Sequence, residues 1–310
     1  MRGPPALSRF RNRLSWEDLN PSGIRQLVDL AAAEDLIGHG LEHKPQIAGD
    51  RTTLAIQVKG EGKAAVIARE SMVVCGIKAI PVVLDAFGAT QVNFATEKAD
   101  GDLAIEGECI GVLSGSAATV LTAERTLLNL LQKMSGIATS ARKFVDMLEG
   151  YVTEMLDTRK NTLGWRALEK YSVAQGGFYN HRYGLNDRIL IKDNHLAAKG
   201  IVNGHRLEET IKTVKASNQD LIVEVEVDHV SQVSPSINGG ADAILLDNFS
   251  PNEVAKVVQV HKEEVVLEAS GNITLETVCE YAEAGPHFLS TGAAVHRSNW
   301  VDLSLDWQEN

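Results

Sequence analysis

Four cations, Arg159, Lys160, Arg182 and Lys192, sit in a stretch whose charge runs against the rest of the chain. From Asp157 to His195 there are seven Lys or Arg against four Asp or Glu, whereas the 310-residue protein as a whole carries a net charge of −11. Arg159 and Lys160 come just after the apolar Met155-Leu156, with Asp157-Thr158 between, and Lys192 follows Leu190-Ile191. Unpaired charge at the end of a buried strand is costly, so a cluster placed there reads as an anion site. Its arginines suit planar anions, because a guanidinium fork matches carboxylate or phosphate geometry with paired hydrogen bonds. Arg166, Lys170 and Arg188 read instead as solvated faces. Arg125 could join the cluster, or be an exposed side chain near the start of a long helix, where a cation is mildly disfavoured.

Carboxylates follow further along. Glu224, Glu226 and Asp228 alternate with Val223, Val225 and Val227, which puts all three acids on one face of a strand. If that face lines a barrel interior, the acids need a cation. Together with Asp247, Glu224 would make an oxygen-ligand Mg²⁺ site, directly or through substrate or water. Two turns of small residues, Ser270-Gly271-Asn272 and Thr291-Gly292-Ala293, let backbone N–H groups approach a phosphate closely. They lie roughly 22 residues apart, close to one strand–helix unit.

These groups need a frame, and the alternation of apolar stretches supplies one. Strands are expected at Val152–Leu156, Ile189–Ile191, Leu221–Val227, Ala243–Leu246, Val265–Leu267 and Phe288–Leu289, separated by segments of crossover length. That is the pattern of parallel βαβ units. The chemical groups fall just after the strands, where β/α barrels place their sites. A helical stripe of Leu127, Leu128, Leu131 and Met134 precedes them, with a break expected at Ser135-Gly136 and a second helix running to Leu148. The front third reads as a mixed α+β unit. It has a helix over 22–34, strands at Thr53–Val58 and Ala64–Ala68, and a helix over 72–87 interrupted near Pro81. Further strands are expected at Thr90–Phe94 and around Ile110–Leu113. The boundaries expected are 1–121 for this unit, 122–293 for the barrel, and 294–310 for a C-terminal segment packing back on the first.

Composition narrows the function classes. A net charge of −11 opposes binding to nucleic acid or to anionic membranes. Cys75, Cys109 and Cys279 are scattered and offer neither a disulfide framework nor a zinc site. No stretch is long and apolar enough for a membrane helix. Arg2, Arg9, Arg11 and Arg13 give the first residues a weak targeting flavour, but a frayed tail and a cytoplasmic enzyme are the ordinary expectation.

Several runs resemble quinolinate phosphoribosyltransferases: Glu124-Arg125-Thr126-Leu127-Leu128-Asn129, Ser135-Gly136-Ile137-Ala138-Thr139, Asp157-Thr158-Arg159-Lys160 and Asn180-His181-Arg182. So do Ile191-Lys192-Asp193-Asn194-His195, Glu224-Val225-Glu226-Val227-Asp228, Leu246-Asp247-Asn248 and Glu268-Ala269-Ser270-Gly271-Asn272. The likeness runs in order from about Gly115 to Ala293. It implies an α/β fold, an open seven-stranded, TIM-like β/α barrel behind an N-terminal α+β domain. It also implies the conversion of quinolinate and phosphoribosyl pyrophosphate to nicotinate mononucleotide, pyrophosphate and CO₂ in NAD biosynthesis. Mg²⁺ would accompany the phosphoribosyl pyrophosphate, no organic cofactor would be needed, and the chain would form a homodimer or higher homo-oligomer. Carried over by motif, Arg125, Thr158, Arg159, Lys160, His181, Arg182 and Lys192 surround the quinolinate carboxylates and the pyrophosphate. Glu224 and Asp247 face the ribose and metal, while Ser270, Gly271, Asn272, Thr291, Gly292 and Ala293 hold the 5′-phosphate. Arg159, Lys160, Lys192, Glu224 and Asp247 would be the catalytic set.

The likeness departs at Asn161-Thr162-Leu163-Gly164, where the family usually has Thr-Thr-Pro-Gly, and at Phe178, which replaces a glycine. Rival readings are a Schiff-base aldolase using Lys160 or Lys192, a nicotinate-specific transferase that releases no CO₂, and a non-catalytic binding protein on the same scaffold.

Overall fold

A computed structural model of the chain describes residues 6–201 and 204–308. Arg2, part of the expected tail, lies outside the described residues. The chain divides into two compact units, and neither is one continuous stretch. The first comprises Met1–Arg13, Ala141–Asn161 and Gly177–Arg297, and the second Leu14–Ser140, Thr162–Gly176 and Ser298–Asn310. The units are therefore interleaved, and the boundaries expected at 121 and 293 do not coincide with them.

The second unit is built on antiparallel strands β1 (Glu61–Ala68), β2 (Met72–Val73), β3 (Asn93–Thr96), β4 (Leu103–Ala104) and β5 (Cys109–Ser116). The first unit holds β6 (Glu154–Leu156), β7 (Ile189–Ile191), β8 (Val223–Val227), β9 (Ala243–Asp247), β10 (Val266–Ser270) and β11 (Phe288–Ser290). A last strand, β12 (Leu303–Gln308), belongs to the second unit and pairs antiparallel with β1, giving the order β12-β1-β5-β3. β2 and β4 form a separate pair.

Local chemistry explains much of the second unit. Helix Pro21–Ile37 starts where the Asn20 side chain accepts hydrogen bonds from the N–H groups of Ser22 and Gly23, and it stops at Gly38 in the left-handed conformation. The strand expected at Thr53–Val58 is instead a short helix, Arg51–Ala55. The Asp50 carboxylate accepts from the N–H of Thr52 and of Thr53, and this cap outweighs the β-branched threonines. The strand expected around Ile110–Leu113 extends at both ends, as β5. Over 72–87 a two-residue strand and a short helix, Ile80–Ala86, replace one interrupted helix.

Nor is there a break at Ser135-Gly136: one helix runs from Ala117 to Met147. Gly136 is there because a Cβ would sit 2.1 Å from the Asn299 carbonyl oxygen. It permits a close approach rather than a kink.

In the first unit the parallel sheet runs β6-β11-β10-β9-β8-β7. It has six strands, against the seven that the resemblance implies. Tyr179 makes one isolated parallel bridge to Leu156, next to β6, but no further ladder forms there among the described residues. The strands are short and apolar on their covered faces, as parallel strands must be when helices pack over them. Phe10, Leu156, Ile222, Ala243, Val266 and Phe288 form one buried cluster of this unit.

The N-terminal segment is not frayed over its described part. Phe10 is buried and stacks on Phe288, with ring centroids 5.9 Å apart. Arg11 pairs with Glu154 at 2.7 Å, and the Asn12 carbonyl accepts from the Asn180 N–H. Arg13 donates to the carbonyls of Gly177 and Phe178.

Candidate active site

Asp157, at the end of β6, organises the loop that follows it. Buried, it accepts from the His181 N–H at 2.7 Å and from Asn180 Nδ2 at 2.8 Å. This tethers Asn180-His181-Arg182 beside Thr158, Arg159 and Lys160. A cavity of about 430 Å³ opens at the C-terminal ends of the strands. Thr158, Arg159, Lys160, His181, Arg182, Lys192, Asp247 and Ser270 all line it. The carboxylate chemistry comes from Glu226 and Glu268 as well, and Leu190, Leu245 and Ser290 supply its less polar wall.

Electrostatics follow from crowding. Burial, with the Arg159 charge added, draws the Arg182 guanidinium below its ordinary range. Arg159 Nε is sealed from solvent and has no hydrogen-bond partner among the described residues. A buried donor without an acceptor is costly unless a ligand supplies one. Lys192 pairs with Glu226 at 2.5 Å. Burial raises the Asp247 carboxyl, while Lys192 and Lys160 pull it back down.

Glu224 is placed differently from the expectation. It is 0% exposed and does not line the cavity. Its Oε2 lies 3.0 Å from His181 Nε2 and 3.3 Å from Arg188 Nη1. Along β8 exposure rises from Glu224 through Glu226 to Asp228, so the acids share a face but sit at different depths. Glu226 reaches the cavity; Glu224 lies beneath it. Arg188 and Lys170 are likewise buried, not solvated as their sequence context suggested.

The two small-residue turns are tightly interlocked. Gly271 has φ +91°, and a Cβ on it would lie 2.3 Å from Asn248 Oδ1. Asn272 Nδ2 donates to the same oxygen at 3.4 Å. The Thr291 hydroxyl donates to the Ile273 carbonyl and accepts from the Ala293 N–H. Gly292 abuts Lys160, whose Cδ a Cβ would meet at 3.0 Å. Of these six residues, Ser270 lines the cavity. Arg125 is exposed on the helix Ala117–Met147 in the other compact unit.

Both departures from the resembled pattern also have places. Phe178 is 0% exposed and packs edge-on against Phe144, and Leu163 is 95% exposed. Neither lines the cavity.

A parallel α/β sheet whose strand ends gather four cations and several carboxylates around one cavity defines an enzyme unit for polyanionic small molecules. Sequence profiles place the particular family. Residues 137–306 match the quinolinate phosphoribosyl transferase C-terminal domain and residues 50–135 its N-terminal domain. The chain belongs to the quinolinate phosphoribosyl transferase family. It is 37% identical over 280 residues to the nicotinate-nucleotide pyrophosphorylase [carboxylating] of Mycobacterium leprae, covering 89% of this chain and 97% of that one. The chloroplastic enzyme of the same name from Arabidopsis thaliana is 36% identical over 299 residues, covering 91% and 82%. The nicotinate-nucleotide pyrophosphorylase structure from Francisella tularensis superposes with a TM-score of 0.85 at 32% identity, covering 94% of this chain and 98% of that one.

Proposed function

We propose that the protein transfers the phosphoribosyl group of phosphoribosyl pyrophosphate to quinolinate and releases pyrophosphate and CO₂, giving nicotinate mononucleotide for NAD biosynthesis. The convergence of Arg159, Lys160, Arg182 and Lys192 on one cavity carries the reading, since both substrates are polyanions. Family membership supports it.

In this reading the guanidinium forks of Arg159 and Arg182 take the quinolinate carboxylates, and Arg159 Nε gains the acceptor it lacks. Lys160 and Lys192 face the departing diphosphate, where fixed positive charge stabilises the leaving oxygens. The ribose carbon becomes oxocarbenium-like as pyrophosphate leaves, and Asp247 and Glu226 supply negative charge opposite it. Ribosylation makes the pyridine nitrogen cationic, which stabilises the electron pair left on the neighbouring carbon when CO₂ departs. The protein then mainly orients and desolvates that carboxylate. Ser270, with the turns at Gly271-Asn272 and Thr291-Gly292-Ala293, would hold the 5′-phosphate. Arg125 would contribute to binding the anions.

Mg²⁺ fits this site through Asp247, a cavity carboxylate with no ion-pair partner among the described residues; Glu226 is committed to Lys192. When bound, the ion would neutralise diphosphate charge. Glu224, sealed beneath the floor, is not placed to hold it. The proposal extends to a homodimer acting in the cytoplasm. Among the described residues no helix is long and apolar enough to cross a membrane.

The Schiff-base alternative needs a lysine amine free to attack a carbonyl, and Lys192 is tied to Glu226 at 2.5 Å. The decisive assay mixes purified protein, Mg²⁺, phosphoribosyl pyrophosphate and carboxyl-labelled quinolinate. Mononucleotide with stoichiometric labelled CO₂ is expected; mononucleotide from nicotinate without CO₂ would overturn the reading, as would borohydride trapping on a carbonyl substrate.

A further inference from the structure

Two glutamates lie side by side at the cavity floor, Glu268 lining it and Glu224 just beneath, and their surroundings differ. Glu224 on β8 and Glu268 on β10 are 0% and 1% exposed. Their carboxylates and the His181 imidazole lie within 4.8 Å of one another. Glu224 faces Arg188, which is itself buried and stacked over the Phe10 ring at 4.8 Å. His181 Nδ1 accepts the Arg182 N–H at 2.8 Å, and its Nε2 lies 3.0 Å from Glu224 and 3.6 Å from Glu268. Glu268 has His181, 3.6 Å away, as its ion-pairing neighbour among the described residues. In register with it, β9 presents Leu245 and β11 presents Phe288, neither of which can balance a charge. Ser290, at the end of β11, adds a hydroxyl.

Among the described residues Arg188 is the one guanidinium within ion-pair reach of either glutamate, with Arg182 acting on Glu224 from farther off, and like charges this close do not both ionise. We propose that Glu268 is held as a neutral carboxylic acid in the cavity floor while Glu224 stays ionised against Arg188, so that no net negative charge underlies the bound dicarboxylate. The proposal rests on the quinolinate reading only for the identity of that dicarboxylate. Burial and the Glu224 charge push the Glu268 carboxyl well above its usual range. Burial would raise Glu224 too, but His181 and Arg188 outweigh it and hold that carboxyl low. Glu224 Oε1 has no other hydrogen-bond partner among the described residues and can accept the Glu268 proton.

The arrangement explains how an acidic floor coexists with an anion site. Above it, four cations face Glu226 and Asp247. Ionising Glu268 would put a further negative charge under the substrate in a poorly screened setting. Quinolinate should therefore weaken as pH rises through the ionisation of Glu268.

The test is infrared difference spectroscopy of the full chain at pH 7 with ¹³C-labelled glutamate, beside quinolinate affinity measured by calorimetry from pH 6 to 9. Wild-type protein should show the carbonyl band of a buried carboxylic acid, and E268Q should lack it. E224Q should lack it as well, because Arg188, left unpaired, would take Glu268 as its anion. Affinity in wild type should fall at least severalfold toward pH 9, and E268Q should flatten that slope. Absence of the acid band in wild type overturns the proposal, as does its survival in E268Q. If E268Q fails to fold, loss of the wild-type band on titration upward serves instead. Should quinolinate fail to bind at all, the functional reading falls while the band still decides the state of Glu268.

Discussion

Arg159 and Lys192 show how a residue's neighbours determine what its loss removes. Arg159 Nε is buried without an acceptor, and Lys192 is held at the cavity by Glu226. Neither side chain contributes to an apolar core, so R159A and K192A should keep the wild-type circular dichroism and melting temperature within a few degrees. Each removes a preorganised charge from the reacting diphosphate or carboxylates, worth about 3 kcal/mol. The expected loss in kcat/KM is therefore at least about 100-fold, and near-normal turnover by either variant would refute the site assignment. Glu268 calls for a different measurement. Its carboxyl is raised in the folded state, so the unfolded chain ionises it first, above about pH 4.3. Its stabilising share is complete below that pH and declines as pH rises. E268Q, measured by urea denaturation, should gain on wild type between pH 4 and pH 8. At this scale the sequence told which residue types converge. It could not tell Glu224 from Glu226, because alternation gives the face of a strand and not the depth. Depth comes from pairing: Glu224 lies opposite Leu190 and Ala243, Glu226 opposite Leu245, nearer the cavity.

At the scale of elements, the six parallel strands were legible because most are short apolar runs and β8 a strict alternation, signals that survive without knowledge of neighbours. Ile189–Ile191 matches the expected bounds, and the others shift by one to three residues at an end. Elements were misread where a single contact decides. At Asp50 a side-chain cap turned a β-prone run into a helix. At Gly136 a glycine that looked like a helix break is a point of close contact within one long helix. That contact makes a prediction. A methyl group there would meet the Asn299 carbonyl oxygen at 2.1 Å and the Trp300 Cα at 3.2 Å, both backbone atoms with little room to move. G136A should therefore destabilise by about 1–3 kcal/mol despite the better helix propensity of alanine. A rise in melting temperature would mean that the glycine serves no packing purpose.

For the whole molecule, chain order and compactness disagree, and the N-terminal segment shows why. Residues up to Arg13 belong to the same compact unit as the parallel sheet, although a long stretch of the other unit separates them in sequence. Four arginines and few apolar residues gave this segment the look of a solvated tail, and no local pattern could reveal that its one aromatic ring is a core residue. Phe10 is 2% exposed, stacks on Phe288 from β11 and has the Arg188 guanidinium over its ring, 4.8 Å from the centroid. It therefore joins the base of the sheet to the cation that pairs with Glu224. Truncating a buried phenylalanine costs about 3–5 kcal/mol, from lost burial and from the cavity left behind. F10A should lose stability by that amount in urea denaturation. It should also weaken quinolinate binding, since Arg188 would lose its packing and with it the fixed geometry of Glu224 and His181. A tail without a structural role would give no change in either measurement. Stability lost with binding intact would confine Phe10 to packing and separate the sheet's base from its cavity.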